Sequence, residues 1–234
     1  MENNYFNFEN RDFDFPFYNK NPEISKFAWL VMLIAVAIGY VLYIDLNSFF
    51  DIFLLNDILF CVIPLIPILY YLNWDYKRLF RKPSLNDLGW AVAMMVAYFI
   101  FTVIFSNILP ANFEFTNITM AAIDLTQEIP QFIILLMGEE IVKFFFFVLF
   151  LCILFKYTNN RKSSIIISMI LSLLVFGFAH YIPSGAFLTA IVIQGLGSVF
   201  HLFLYVKTKN LVVSYTSHLL TDVIITVLQF LAML

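Results

Sequence analysis

The sequence predicts an all-α fold, a polytopic bundle of about seven transmembrane helices with a cytoplasmic N-terminus. Of its 234 residues, 62% are apolar and only 12% are charged, whereas a soluble domain is about half apolar and a quarter charged. The apolar residues fall in runs of about 20, the length with which a helix crosses a bilayer. Because such runs must satisfy their backbone amides inside hydrocarbon, they favour α-helices.

Seven apolar segments, separated by polar residues, glycine or proline, form the predicted spans. Residues 1–26 are expected to be a polar, aromatic-rich tail whose rings rest loosely at the membrane interface, and residues 27–234 a single transmembrane domain. Pro183 and Gly185 mark a tight turn after the fifth span. The spans are Phe27–Ile44, Ile52–Leu72, Leu88–Leu109, Ile129–Phe155, Ser164–Tyr181, Ala186–Val206 and Leu211–Leu234.

The basic residues predict the orientation. Three connections, Asp45–Asp51, Pro110–Glu128 and Ile182–Gly185, contain no lysine or arginine. In a seven-span arrangement all basic residues outside the spans then lie on one side, which the positive-inside rule assigns to the cytoplasm. We therefore expect a multi-pass protein of the cell membrane with its C-terminus outside. These residues are Arg11, Lys20, Lys26, Lys77, Arg78, Arg81, Lys82, Lys156, Arg161, Lys162, Lys207 and Lys209.

Composition also excludes several classes of partner. A net charge of −3 with scattered basic residues gives no footprint for nucleic acid. The chain has seven glycines and no phosphate-binding loop, so no nucleotide site is expected. Cys61 and Cys152 lie inside apolar runs and predict no disulfide framework.

The last four spans contain a cluster of ionisable residues, which are costly in a bilayer and normally face a cavity or one another. Glu139 and Lys143 are four apart and can pair on one helix face, whereas Glu140 lies about 100° further round. His218 and Asp222 share a face of the seventh span. The cluster consists of Glu139, Glu140, Lys143, His180, His218 and Asp222.

We expect spans four, five and seven to bring this cluster to one cavity that holds a water molecule. With the boundaries above, His180 lies about 10 Å nearer the outer surface than Glu139. Either the turn after the fifth span dips into the bilayer or the span boundaries are wrong. His201 and Asp57 are expected to serve packing or capping rather than chemistry.

These residues resemble a known family. Segments 138–143 (GEEIVK), 176–180 (FGFAH) and 218–222 (HLLTD) are similar to the ordered motifs EExxxR, FxxxH and HxxxN of the CAAX protease and bacteriocin-processing (Abi, CPBP) family. The resemblance covers about residues 85–234. Lys143 stands one position before the arginine of the motif, and Asp222 replaces the asparagine. PrsW-type proteases share two of the three motifs.

The resemblance implies an intramembrane endopeptidase that uses glutamate-activated water on prenylated, signal-like or bacteriocin-like peptides. Glu139 would be the general base, with Glu140 beside it, and His180 would orient the water. His218 and Asp222 would face the oxyanion, so Asp222 must be protonated or must instead orient His218. Lys143 and Phe176 would support this set.

No cofactor is implied, but zinc held by Glu139, His180 and His218 is the alternative, since two histidines and a glutamate are a plausible zinc set. Two other functions stay open. One is a catalytically silent relative that acts as a membrane scaffold, regulator or immunity protein. The other is a proton-coupled transporter, which the lack of an inverted pair of broken spans disfavours.

Overall fold

The computed structural model describes residues 5–45, 54–108 and 125–233, which form seven α-helices and no strand. The all-α prediction is therefore confirmed. The helices are α1 (Lys26–Asp45), α2 (Leu55–Tyr71), α3 (Leu85–Ile108), α4 (Leu125–Thr158), α5 (Arg161–Ser184), α6 (Val199–Thr208) and α7 (Leu211–Met233).

The described residues contain six helical segments that are long and apolar enough to cross a membrane, together with the shorter apolar helix α2. This agrees with about seven spans and with a multi-pass membrane protein. Two predicted connections, Asp45–Asp51 and Pro110–Glu128, lie largely outside the described residues. The outward faces of the helices are apolar, with Leu30, Ile34 and Ile100 among many large exposed side chains. Such a surface suits contact with lipid.

Helix α4 is the centre of the bundle, because α2, α5 and α7 all pack against it. Its buried positions hold aliphatic side chains together with three aromatic rings, Phe144, Phe145 and Phe147. Helix α1 packs on α2 at one side, and α3 packs on α6 and α7 at the other. Helix α4 thus lies between the two sides, which makes it the element that positions a site.

The sixth span is not a regular α-helix. A π-helical stretch, Thr189–Gly195, and a 3-10 turn, Leu196–Ser198, precede α6. The π-helical stretch lies backbone to backbone against α5, since a Cβ on Gly177 would come within 2.9 Å of the Ala190 carbonyl oxygen. Small residues allow such close approach between membrane helices. The sequence predicted an ordinary span, Ala186–Val206, here.

The N-terminal tail is packed rather than loose. Phe15 is buried with its ring 5.2 Å from that of Phe147 and 5.9 Å from that of Tyr205, measured between ring centroids. The Tyr18 ring lies 4.7 Å from that of Phe155. The expectation of rings resting at the interface is wrong for these two residues. They belong to the core of the bundle.

A buried carboxylate ties the tail to two connections between helices. Glu9 Oε2 lies 2.8 Å from both Arg161 Nη2 and Lys209 Nζ. Burial alone would raise the pKa of Glu9, but the hydrogen bond from Arg161 and the charge of Lys209 outweigh it and hold that pKa below its usual value. Burial lowers the pKa of Lys209 to about 8, although Glu9 opposes this.

The other basic connections gather at the same end of the bundle, which we call the tail end. Arg78 donates to the Asn21 carbonyl, and Arg81 donates to the carbonyls of Thr208 and Lys209. The predicted grouping of these basic residues on one side therefore agrees with the contacts. Which side of the membrane this end faces stays a prediction.

The close contact at Gly177 predicts different effects for two glycine-to-alanine variants. Gly177→Ala places a methyl group against the backbone of the π-helical stretch and should destabilise the fold by about 1–3 kcal/mol, as overpacking does. Gly89→Ala is the control, because nothing lies within 4 Å of its added Cβ. It should leave stability unchanged or slightly raised. Thermal unfolding in detergent measures both, and equal melting temperatures would contradict the close contact.

Candidate active site

Three ionisable side chains from three helices meet inside the bundle. Glu139 of α4 lies with Oε1 at 3.6 Å from His180 Nε2 of α5. Its other oxygen, Oε2, lies 3.8 Å from His218 Nε2 of α7. Each carboxylate oxygen thus faces a different imidazole, and spans four, five and seven converge as the spacing of their polar residues predicts.

Helical register explains why Glu139 and His180 lie at one depth. Helix α4 ends at Thr158 and α5 begins at Arg161. The two side chains are equally far along their helices from this turn, about 28 Å at 1.5 Å rise per residue. The expected offset arose because each residue was measured from the outer end of its predicted span, as if those ends lay at one depth. Helix α4 begins 14 residues before Glu139, at Leu125, whereas α5 ends four residues after His180, at Ser184. The end of α5 therefore lies about 15 Å short of the start of α4 at 1.5 Å rise per residue, which agrees with a turn that dips into the bundle.

A cavity of about 260 Å³ surrounds the carboxylate of Glu139. The side chains of Glu139, His180 and Asp222 keep 13%, 24% and 29% of their surface exposed, so a small polar ligand can reach them. Residues from α3, α4, α5, the sixth span and α7 form the wall. Its polar members are Tyr98, Thr102, Glu139, His180, Thr189, Gln194, Ser198, His201, His218, Asp222, Thr226 and Gln229.

Glu140 does not line this cavity but holds a buried network behind it. Its Oε1 forms an ion pair with Lys143 and lies 2.9 Å from His218 Nδ1. Its Oε2 accepts a hydrogen bond from the Ser214 hydroxyl. The expected pairing of Lys143 with Glu139 is thus wrong. Both glutamates lie within one turn of the lysine, and the orientation of α4 turns Glu140 toward it.

The contact with Glu140 orients the ring of His218. A carboxylate only accepts hydrogen bonds, so the Nδ1–H of His218 donates to Glu140. The opposite nitrogen, Nε2, therefore faces Glu139 and the cavity. This arrangement resembles the way in which a carboxylate fixes the ring of a reacting histidine in other sites.

Phe176 contacts both His180 and Lys143. Its backbone carbonyl lies 3.0 Å from His180 Nδ1 and must accept a hydrogen bond from it. Its ring packs against the imidazole with centroids 4.4 Å apart, while the Lys143 ammonium lies 4.6 Å from the ring centroid. His180 therefore presents Nε2 to Glu139, as His218 does from the other side.

Asp222 lies beside His218 without orienting it. Its Oδ2 is 3.9 Å from His218 Nε2, beyond hydrogen-bond distance. The ring of His218 is instead oriented by Glu140, which contacts its Nδ1. Asp222 is thus a carboxylate on the cavity wall, at the position where the family motif has asparagine.

His201, which the sequence assigned to packing, lies next to the candidate site. Its ring stacks on His218 with centroids 4.7 Å apart, and it lines the cavity. The positions of the two histidines relative to the α6–α7 turn could have indicated this contact. His201 is as far from the end of α6 at Thr208 as His218 is from the start of α7 at Leu211. In an antiparallel hairpin such residues face each other.

Sequence analysis also missed the uncharged polar wall. Tyr98 and Thr102 come from α3, and Gln194 and Gln229 from the sixth and seventh spans. The two glutamines carried a usable signal, since each amide interrupts an apolar run. Tyr98 and Thr102 carried none, because both residue types are common in ordinary membrane helices.

The zinc alternative has no matching geometry in the described part of the chain. No group of three or more His, Cys, Asp or Glu side chains is placed there to hold a metal ion. The expectation that no cofactor is required stays a prediction.

Comparison with known protein families gives a match over the part of the chain that contains these residues. Residues 129–224 match the family model described as type II CAAX prenyl endopeptidase Rce1-like. The resemblance seen in the motifs is confirmed. No curated protein and no solved structure matches the chain. The family is one of proteases, so the match supports a hydrolase embedded in the membrane.

The Rce1-like match covers every charged residue and histidine of the cavity and of the network behind it. It extends from the first part of α4 to just past Asp222. It is narrower than the expected region of about 85–234. Helix α3 lies outside it but supplies Tyr98 and Thr102 to the wall.

The buried network predicts the effect of breaking its ion pair. Lys143→Met leaves the Glu140 carboxylate buried without its cation, which should cost about 3–5 kcal/mol of stability. The double variant with Glu140→Gln removes both charges and should recover most of that loss. Lys156→Met, at the exposed end of the same helix, is the control. Thermal unfolding in detergent tests this, and a double variant no more stable than Lys143→Met would contradict the pairing.

Proposed function

We propose that this protein is an intramembrane endopeptidase in which Glu139 activates a water molecule to hydrolyse peptide bonds. One observation carries the proposal: the partly exposed Glu139 carboxylate lies between the Nε2 atoms of two imidazoles, in a cavity within the membrane-spanning helices. The Rce1-like match supports the same chemistry. The wider CAAX protease and bacteriocin-processing group is the assignment we propose.

In this mechanism a water molecule binds in the cavity, within hydrogen-bond distance of both Glu139 and His180. The Nε2 of His180 lacks a proton when the ring is neutral, because Nδ1–H is bonded to the Phe176 carbonyl. It can therefore accept one hydrogen of the water and orient the oxygen for attack. Glu139 accepts the other hydrogen as the oxygen attacks the peptide carbonyl. General-base catalysis of this kind contributes about 10²- to 10⁴-fold.

His218 is proposed to stabilise the oxyanion. In that role it carries protons on both nitrogens, donating Nδ1–H to Glu140 and Nε2–H to the developing negative charge. Collapse of the tetrahedral intermediate then breaks the C–N bond, and protonated Glu139 returns its proton to the leaving amine. The Glu140–Lys143 pair keeps the ring in place, so we assign it a positioning role.

The substrates are proposed to be membrane-associated peptides, whether prenylated, signal-like or bacteriocin-like. Such a substrate can enter from the bilayer, and the depth of Glu139 in α4 suits a cleavage site within or near the hydrocarbon. With the tail end facing the cytoplasm, as its basic residues favour, Glu139 lies about 28 Å along α4 from that end of the helix.

Substitution of the proposed base tests the mechanism most directly. Glu139→Gln keeps the shape of the side chain but cannot take a proton, so turnover should fall by about 10²-fold or more. Glu128→Gln is the matched control, since Glu128 lies on the same helix outside the cavity lining. Cleavage of a quenched fluorescent peptide library in liposomes measures both variants.

Two outcomes would count against the proposal. Full turnover in Glu139→Gln, at equal protein level and membrane insertion, would remove Glu139 as the base. A wild type that cleaves no peptide in the library would favour the silent scaffold or immunity protein instead.

Asp222→Asn separates two roles for the last motif residue. Since Glu140 rather than Asp222 holds His218 Nδ1, the substitution only removes negative charge near the oxyanion. Turnover should be preserved or raised. The same library assay measures it. A drop of about 10- to 100-fold, typical for loss of a residue that orients a metal ligand, would instead favour the zinc alternative.

A further inference from the structure

The sixth span presents a polar stripe to the cavity. Gln194, Ser198 and His201 all line it, together with Glu139 and His218. Because all three line the same cavity, they lie on one face of the span. None of the three belongs to the motifs that carry the family resemblance.

Two atoms of this stripe are buried without a hydrogen-bond partner in the described part of the chain. They are Oε1 of Gln194 and Nδ1 of His201, and only 1% of the His201 surface is exposed. Ser198 is different, because its hydroxyl donates to the Gln194 backbone carbonyl. Buried polar atoms are nearly always paired in folded proteins. Since both residues line the cavity, a ligand bound there is a candidate partner for these two atoms.

We propose that Gln194 and His201 bind the backbone of the peptide substrate in an extended conformation. Gln194 Oε1 accepts a hydrogen bond from a backbone N–H, and His201 Nδ1 bonds to a second backbone group further along the peptide. The inference rests on the endopeptidase function proposed above. It identifies the part of the cavity wall that holds the peptide while the water molecule activated by Glu139 attacks it.

Backbone amides fit this wall better than charged or variable side chains do. The stripe contains an amide, a hydroxyl and an imidazole but no carboxylate or ammonium group, and the cavity lining also includes the apolar side chains of Phe132, Ile193 and Ile225. Apolar side chains of a membrane peptide can occupy that surface. The two unpaired atoms then match the neutral N–H and C=O groups that every peptide has.

The peptide must be unwound to use these atoms. In a helix nearly every backbone N–H and C=O is already paired within the helix, so a helical substrate would leave both atoms unpaired. Gln194 and His201 are seven residues apart, which at rises of 1.5–2.0 Å per residue is about 10–14 Å along the span, or about three to four residues of extended chain at 3.3 Å each. One short extended segment can therefore reach both.

His201 also connects this wall to the reacting groups. Its ring stacks on that of His218, whose Nε2 lies 3.8 Å from Glu139. A peptide held at His201 Nδ1 thus lies directly beside the proposed oxyanion donor. We assign both wall residues a substrate-binding role rather than a role in proton transfer.

The test uses the library peptide that the wild type cleaves fastest. Each amide within three residues of the scissile bond, except the scissile amide, is replaced in turn by an ester, which removes one N–H donor. At one position the ester should raise KM of the wild type by about 3- to 10-fold, the usual effect of one net hydrogen bond. In Gln194→Leu the all-amide peptide should show the same rise, and that ester should have no further effect.

Two further variants complete the experiment. His201→Phe keeps a ring against His218 but lacks Nδ1, so it should raise KM with kcat nearly unchanged. Asn107→Leu removes an exposed amide outside the cavity lining and is the control for amide loss. It should leave KM and kcat at wild-type values.

The inference is overturned if, at every position, the ester raises KM of Gln194→Leu by the same factor as it raises KM of the wild type. It is also overturned if His201→Phe has the wild-type KM. Either result can arise while the wild type still cleaves the all-amide peptide through Glu139, which leaves the proposed function standing. If the wild type cleaves no peptide, the proposed function fails and this inference fails with it.

Discussion

The ion pair between Glu140 and Lys143 is the interaction on which the arrangement of the cavity depends. Both charges are almost completely buried, and ions in a low-dielectric interior are tolerated only with well-placed partners. The partners of Glu140 come from another helix, since Ser214 and His218 both lie on α7. Satisfying this one carboxylate therefore fixes α7 against α4 and aims Nε2 of His218 at the cavity.

Adjacent glutamates allow one helix to serve two purposes. Because neighbouring residues on a helix differ by about 100° in direction, Glu140 faces the buried network while Glu139 faces the cavity. Glu140 contacts an ammonium, a hydroxyl and an imidazole, whereas the oxygens of Glu139 lie 3.6 and 3.8 Å from two imidazole nitrogens. Both distances are longer than a strong direct hydrogen bond, so a water molecule in the adjoining cavity can contact the Glu139 carboxylate and an imidazole nitrogen at once. We therefore distinguish Glu140, the carboxylate that positions His218, from Glu139, the carboxylate proposed to react.

Much of the fold and part of the site followed from the sequence, for identifiable reasons. Span number followed from apolar length, and the convergence of Glu139, His180 and His218 followed from the cost of placing such groups in a bilayer. The partner of Lys143 did not follow, because spacings of three and four residues both permit a pair. His201 was assigned to packing because its depth was counted alone, without its position in the α6–α7 hairpin.

The tail shows why a local pattern alone misleads. His218 lies about 10 Å along α7 from the α6–α7 turn, whereas Glu139 lies about 28 Å along α4 from the α4–α5 turn. Since the two side chains meet, the α4–α5 hairpin must extend well beyond the α6–α7 hairpin, which leaves a ledge at the tail end. The rings of the tail fill that ledge, and only the long-range register of the helices reveals that it exists.

The same ledge gives Glu9 its role. Its carboxylate bonds at once to Arg161, on the hairpin that carries Glu139 and His180, and to Lys209, on the hairpin that carries His218. Glu140 joins the same two hairpins at the depth of the cavity. Two buried carboxylates thus connect them at two depths, and two separated points of attachment resist rocking of one hairpin against the other. Glu139 and His218 can then keep their separation while the cavity between them stays open to a ligand.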